Sequence, residues 1–224
     1  MPYKFTYSSS RPNWEFHSFP KPRMVEIFQA ICKTDQMLFS PSRIGILVFA
    51  AATMAGPWYT VEEYSHVSNL ISELGAQNTQ NNFVMISGFL MLGSGIAVDG
   101  LRWFAKPMIP FITFGLFMAL AGIFAHKPIS PSSPSSEIVH QIHSGLATLA
   151  GVSITLGLAW QAAIRANSRH RGITAILAVL CFVLPLCMLV FQDVQGLIQR
   201  IMYLLIFTWI WVCYPGYFPE AEQS

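Results

Sequence analysis

Six long apolar stretches, at 44–61, 74–98, 107–125, 138–164, 172–192 and 201–219, alternate with short segments that collect nearly all the charged residues. A bilayer core needs roughly 20 mostly apolar residues per helix, so each stretch can hold one span. The pattern predicts spans near 44–59, 83–101, 108–126, 141–164, 173–191 and 199–214, the first being the shortest. Backbone polar groups in hydrocarbon must be satisfied within the segment, which favours helices. The expected fold class is therefore all-α, an integral membrane bundle of six transmembrane helices.

Residues 1–40 read as an arm, 41–216 as the transmembrane domain and 217–224 as a tail. The arm carries Tyr3, Phe5, Tyr7, Trp14, Phe16 and Phe19 before Pro20 and Pro22. Beyond Pro22, Met24, Ile27, Phe28 and Ile31 recur at helical spacing opposite Arg23, Glu26 and Lys33, which predicts an amphipathic juxtamembrane helix. No apolar signal core precedes Ser40, so the first span is expected to act as an uncleaved anchor.

The 60–82 segment predicts an interfacial helix between spans one and two. Thr60 with Glu63 can form a capping box, and Gly75 is a natural stop. On such a helix Glu62, His66, Asn69 and Glu73 share one face, Tyr64, Val67, Ile71 and Leu74 the opposite one, and Ser65, Ser68 and Ser72 a flank. Further along, the Ser/Pro-rich 127–137 stretch ends in serines that can cap the fourth span. Small residues four apart, Gly93 with Ala97, Ala147 with Gly151 and Ser153 with Gly157, suit close helix contacts in lipid.

Charge adds orientation. The 224 residues are 53% hydrophobic and only 11% charged, against roughly 25% charged in an average soluble domain. With the N-terminus inside, eleven of the thirteen Lys and Arg residues fall in inner segments, and 60–82 has none. Positive residues in short loops stay on the cytoplasmic side, so both termini are expected there, in a bacterial plasma membrane. The net charge of +2 follows from that topology and gives no reason to expect a nucleic-acid partner. The four cysteines form no CxxC pair and read as packing residues.

That threading gathers the candidate chemistry on the outer face. His126 ends the third span, and Glu137, His140 and His143 open the fourth at three-residue spacing. Imidazole and carboxylate both ligate zinc, and i, i+3 spacing brings two side chains together, which makes His126 and His140 candidate metal ligands. Glu73 with His143 suits acid–base work, and Ser72 or Ser68 beside a histidine suits a nucleophile. His66, Asp193 and Arg200 complete the polar set, Arg200 being suited to clamp a phosphate or carboxylate head group. A hydrogen-bonded plug closing the bundle end would use the same residues. Toward the inner side Asp99 stands three residues before Arg102, the spacing of an ion pair. An uncharged midplane argues against an ion-coupled transporter.

The stretch YSHVSNLISELG at 64–75, with His143 in HSGLATLAG and GLIQRIMYLLIF at 196–207, resembles the uncharacterised multi-pass membrane family known as domain of unknown function 998. The resemblance implies a six-helix bundle with motif positions at Ser72, Glu73, His143 and Arg200, and supplies no activity. Many relatives have an acidic residue after the third span, where this chain has His126 and Lys127.

The functional expectation is an outer-face polar pocket that binds or processes a lipid-like amphiphile, with membrane lipid as partner. The alternative is a non-catalytic accessory subunit of a larger membrane complex, packing through the aromatic arm and its helix faces.

Overall fold

Proline at the first helical position and serine before it open α1 (Pro41–Tyr59), where a missing N–H costs nothing. The computed structural model describes residues 40–60, 64–130, 133–165 and 168–214. The expected arm helix, Glu62 and the tail lie outside them. The other helices are α2 (Phe83–Arg102), α3 (Ile109–Ile123), α4 (Glu137–Ile164), α5 (Ser168–Val190) and α6 (Gln195–Cys213), with no strand among the described residues. Ser136 caps α4 as expected, its hydroxyl accepting from the Val139 amide.

Each helix packs antiparallel along the next, and α6 returns to touch α1. Five segments, Phe83–Arg102, Lys106–Ile123, Glu137–Ile164, Arg169–Val190 and Gln192–Cys213, are long and apolar enough to cross a membrane. α1 is not among them. Its small residues serve contact instead: a side-chain carbon added at Gly45 would strike the backbone of Met91 and Leu92.

Glycine also sets the α2–α3 crossing. Gly93 of α2 lies on the Gly115 carbonyl and Ala119 of α3, and Gly115 lies on Gly93 and Ala97 in return, as expected for small residues four apart. Gly157 meets the Phe111 ring, whereas Gly151 faces open space, so the Ala147–Gly151 pair makes no such contact. On either side of this crossing the core is aromatic. Phe49 stands edge-on to Phe89 and Phe207, and Phe111 stacks on Trp209 at 5.3 Å.

Two sequence expectations are corrected. The 64–75 segment is not one interfacial helix: a single turn at 65–69 leads into a five-residue 3₁₀ helix, Ile71–Gly75. Its backbone groups are claimed from outside, the Val67 carbonyl by the Leu197 amide at 3.0 Å and the Ile71 amide by the Gln199 side chain at 2.7 Å. Contacts to α6 thus replace the i to i−4 ladder. Nor does Asp99 pair with Arg102. Buried to 1% exposure, Asp99 accepts the Ser42 amide at 2.9 Å, placing a carboxylate on the first turn of α1, where amides lack helical partners. Arg102 stays exposed.

Candidate functional site

Antiparallel packing brings residues 64–82, 124–130 and 133–136, the head of α4 and the head of α6 to one end of the bundle, the histidine end. Asp99, Arg165 and Tyr214 mark the opposite end.

The 64–75 segment is seated by Arg200. The guanidinium Nη1 donates to the carbonyls of His66 at 2.7 Å, Gly196 at 2.9 Å and Asn69 at 3.1 Å, and Nη2 donates to the Tyr64 hydroxyl. That hydroxyl in turn donates to the Leu70 carbonyl at 3.2 Å. Gly196, one turn before Arg200, lets the segment approach: a side-chain carbon there would collide with the backbone of Asn69 and Val67. Planar, forked donors suit such multiple acceptance, which a lysine cannot reproduce. The expected head-group clamp therefore has both terminal nitrogens committed to protein acceptors, leaving only its buried Nε without a partner.

Glu73 is fixed in the same turn, its Oε2 accepting the Leu70 amide at 2.7 Å. Burial raises its carboxyl pKa, against the opposing pull of Asn69, the Leu70 amide, Lys127 and Arg200. Ser72 is buried and Ser68 half-buried, and neither is hydrogen-bonded to a histidine among the described residues. His66 has its ring edge-on to Tyr64, and its Nδ1 has no partner. Burial, then Arg200, lowers its pKa. Asp193 is exposed in the 3₁₀ turn Gln192–Val194 before α6.

Across from this segment stand three imidazoles. His126 lies edge-to-face with His140 at 4.4 Å and with His143 at 5.3 Å between ring centres. His143, 4% exposed, places Nδ1 at 2.8 Å from the carbonyls of both Ala121 and Phe124. His126 places Nδ1 at 2.8 Å from the Lys127 carbonyl. Carbonyls only accept, so both rings are assigned the proton on Nδ1 and the lone pair on Nε2. His140 contributes a buried Nδ1 with no partner. Among the described residues, no group of three or more His, Cys, Asp or Glu could hold a metal ion.

Gln77 ties the two halves together. Its amide donates to the His126 carbonyl at 2.8 Å, its side chain donates to the carbonyls of Ala125 and Ser136, and it accepts the Ser136 amide. Asn78 adds a bond to the Pro134 carbonyl at 2.7 Å from a left-handed backbone that asparagine tolerates. Glu73 and His143 share this end with no hydrogen bond joining them among the described residues. Sequence reasoning singled out neither Gln77 nor Gly196. The latter's one signal was its place, four residues before Arg200 in the GLIQR run.

Burial is the main cause that drives the His126 pKa down to about 4, with His143, His140 and Lys127 pushing the same way and the Lys127 carbonyl pushing back. A lowered imidazole pKa means the unfolded chain takes up a proton that the fold refuses. Stability should therefore fall as pH drops from near 6.5 toward 4. Between pH 7 and pH 5 the loss is about 2 kcal/mol. Glu73, shifted upward, slopes the other way, so the measurement is a difference. Thermal melting in detergent should show wild type losing more between pH 7 and 5 than His126→Gln. Parallel losses would mean that His126 is not held neutral.

No curated protein and no solved structure matches the chain. A family model does, over residues 43–214, a range that holds α2 to α6, nearly all of α1 and every residue of the end just described. That range is well over half of the chain, which thus belongs to the family described as "Protein of unknown function (DUF998)".

Proposed function

We propose that the protein crosses a bacterial plasma membrane six times with both termini cytoplasmic, and that its histidine end faces outward and processes a lipid-like amphiphile. Support for the sixth span comes from α1, whose 19 residues extend about 28 Å at the helical rise and lie antiparallel along α2. The basic residues support the orientation.

One observation carries the chemistry: three imidazoles gathered with His126 against both His140 and His143, and the buried His143 held by two carbonyls so that Nε2 keeps its lone pair. A base needs such a fixed tautomer and an orienting partner on its other nitrogen. In this reading His143 takes a proton from a hydroxyl or water. Glu73, whose burial favours the protonated form, returns one to the leaving group. His126 and His140 hydrogen-bond the head group. Arg200 acts by positioning, since it holds the turn that carries Glu73. Partnerless buried polar atoms at this end, His66 Nδ1, His140 Nδ1 and Arg200 Nε, suit a polar ligand or ordered water.

Lipid turnover by purified protein tests the proposal. His143→Ala and Glu73→Gln should each lower it by about 100-fold or more, the usual contribution of a positioned acid or base. Wild-type turnover in both folded variants would remove the catalytic reading and favour the accessory subunit.

A further inference from the structure

Beside the contact of α1 and α2 at Gly95, which lies against the Pro41 carbonyl, is a groove of about 250 Å³ lined by Pro41, Ile44, Met91, Ser94, Gly95 and Val98. The groove is apolar. Its one hydroxyl, on Ser94, is turned back onto the Leu90 carbonyl at 2.5 Å and asks nothing of an occupant. Ile44, Met91 and Val98 are each at least 40% exposed, so the groove opens outward from a helix apolar enough to lie in a membrane.

Arg102 follows Val98 by one helical turn and continues the face formed by Met91, Ser94 and Val98. From Met91 to Arg102 the face extends about 16 Å at the helical rise, comparable to one leaflet of a hydrocarbon core roughly 30 Å thick. The arginine is exposed and makes no ion pair among the described residues, and Asp99, three residues before it, is buried and accepts the Ser42 amide instead. Trp103 and Phe104, 48% and 62% exposed, flank it, with exposed Lys106 beyond. Aromatic and basic side chains at a helix end mark the head-group layer.

We propose that this groove is a binding site for an anionic phospholipid, with one acyl chain lying along Met91, Ser94 and Val98 and the phosphate on Arg102. Charge complementarity chooses the occupant: an unpaired guanidinium at the mouth of an apolar slot favours a lipid of net negative charge over a zwitterionic one. The site lies at the Asp99 end of the bundle, apart from the histidines.

Native mass spectrometry of the full chain, released from bilayer discs of equal phosphatidylglycerol and phosphatidylcholine, tests the site. Wild type should retain phosphatidylglycerol about fivefold over phosphatidylcholine, the preference one arginine confers at a charged lipid surface. Arg102→Gln should bring the ratio near one, Arg102→Lys should keep most of it, and Val98→Trp, which fills the slot, should lose the adduct. Both positions are exposed, so equal melting temperatures should accompany these changes. An unchanged ratio in Arg102→Gln, or an intact adduct in Val98→Trp, would overturn the proposal. So would an adduct that appears only after deletion of residues 2–20, since the chain's own arm would then be the occupant.

Discussion

Replacing Arg200 with methionine is expected to unseat residues 64–75 from α6 and to cost on the order of 4 kcal/mol of stability. The guanidinium serves three backbone carbonyls and the Tyr64 hydroxyl. A hydrogen bond from a charged donor is worth roughly 1.5–3 kcal/mol, and an acceptor stranded in a buried setting costs about as much again. These bonds share one side chain, so their sum is not additive. Lysine keeps the charge and offers no fork, so Arg200→Lys should recover less than half of the loss. Unfolding in mixed detergent micelles gives the stability, and limited proteolysis shows whether the 64–75 segment has opened. A variant equal to wild type in both would mean that Gln199 and the Leu197 amide seat the segment unaided.

Gly93→Leu should be nearly as damaging, by about 3 kcal/mol, or should abolish the folded state. The new side chain would meet the Gly115 carbonyl and the Ala119 amide, and backbone in the middle of a helix cannot move aside as a flexible side chain can. Gly151→Leu is the control. With open space beyond it, this change should stay within about 0.5 kcal/mol of wild type. The two substitutions are chemically identical, so the difference between them isolates the α2–α3 crossing. Equal behaviour would show that these helices separate freely.

Much of the architecture was legible because long apolar runs have few alternatives. The expected spans near 83–101, 141–164 and 173–191 became α2, α4 and α5, with starts or ends shifted by one to five residues. Small-residue spacing marked Gly93 and Ala97 as a contact face, which meets Gly115, and failed at Gly151, because spacing says which residues can approach and not which helix face has a neighbour. The segment before Gly75 misled for a different reason. Capping and periodicity describe a helix that satisfies itself, whereas Arg200, Gln199 and Leu197, more than a hundred residues away, take up its backbone groups.

The site divides along the same line. Alternating basic segments were enough to place Glu73, His126, His140, His143 and Arg200 at one end. What each touches was hidden, since the partners of His143, and all of those of Arg200 but the Tyr64 hydroxyl, are main-chain carbonyls, and a carbonyl leaves no mark in a sequence. Asp99 was misjudged similarly: Arg102 stood nearby as an obvious partner, yet the acceptor found a backbone amide on another helix.

That amide belongs to Ser42, 57 positions earlier in the chain, and the separation bears on how the protein is made. α1 emerges first, yet it is the helix least suited to stay in lipid alone, and the carboxylate that completes its leading turn has not been synthesised. On the proposed six-span topology a membrane insertase would have to shelter α1 until α2 follows, so the two should enter the bilayer as a hairpin. A nascent chain stalled before Asp99 leaves the insertase should remain extractable by alkali, and one stalled beyond it should not.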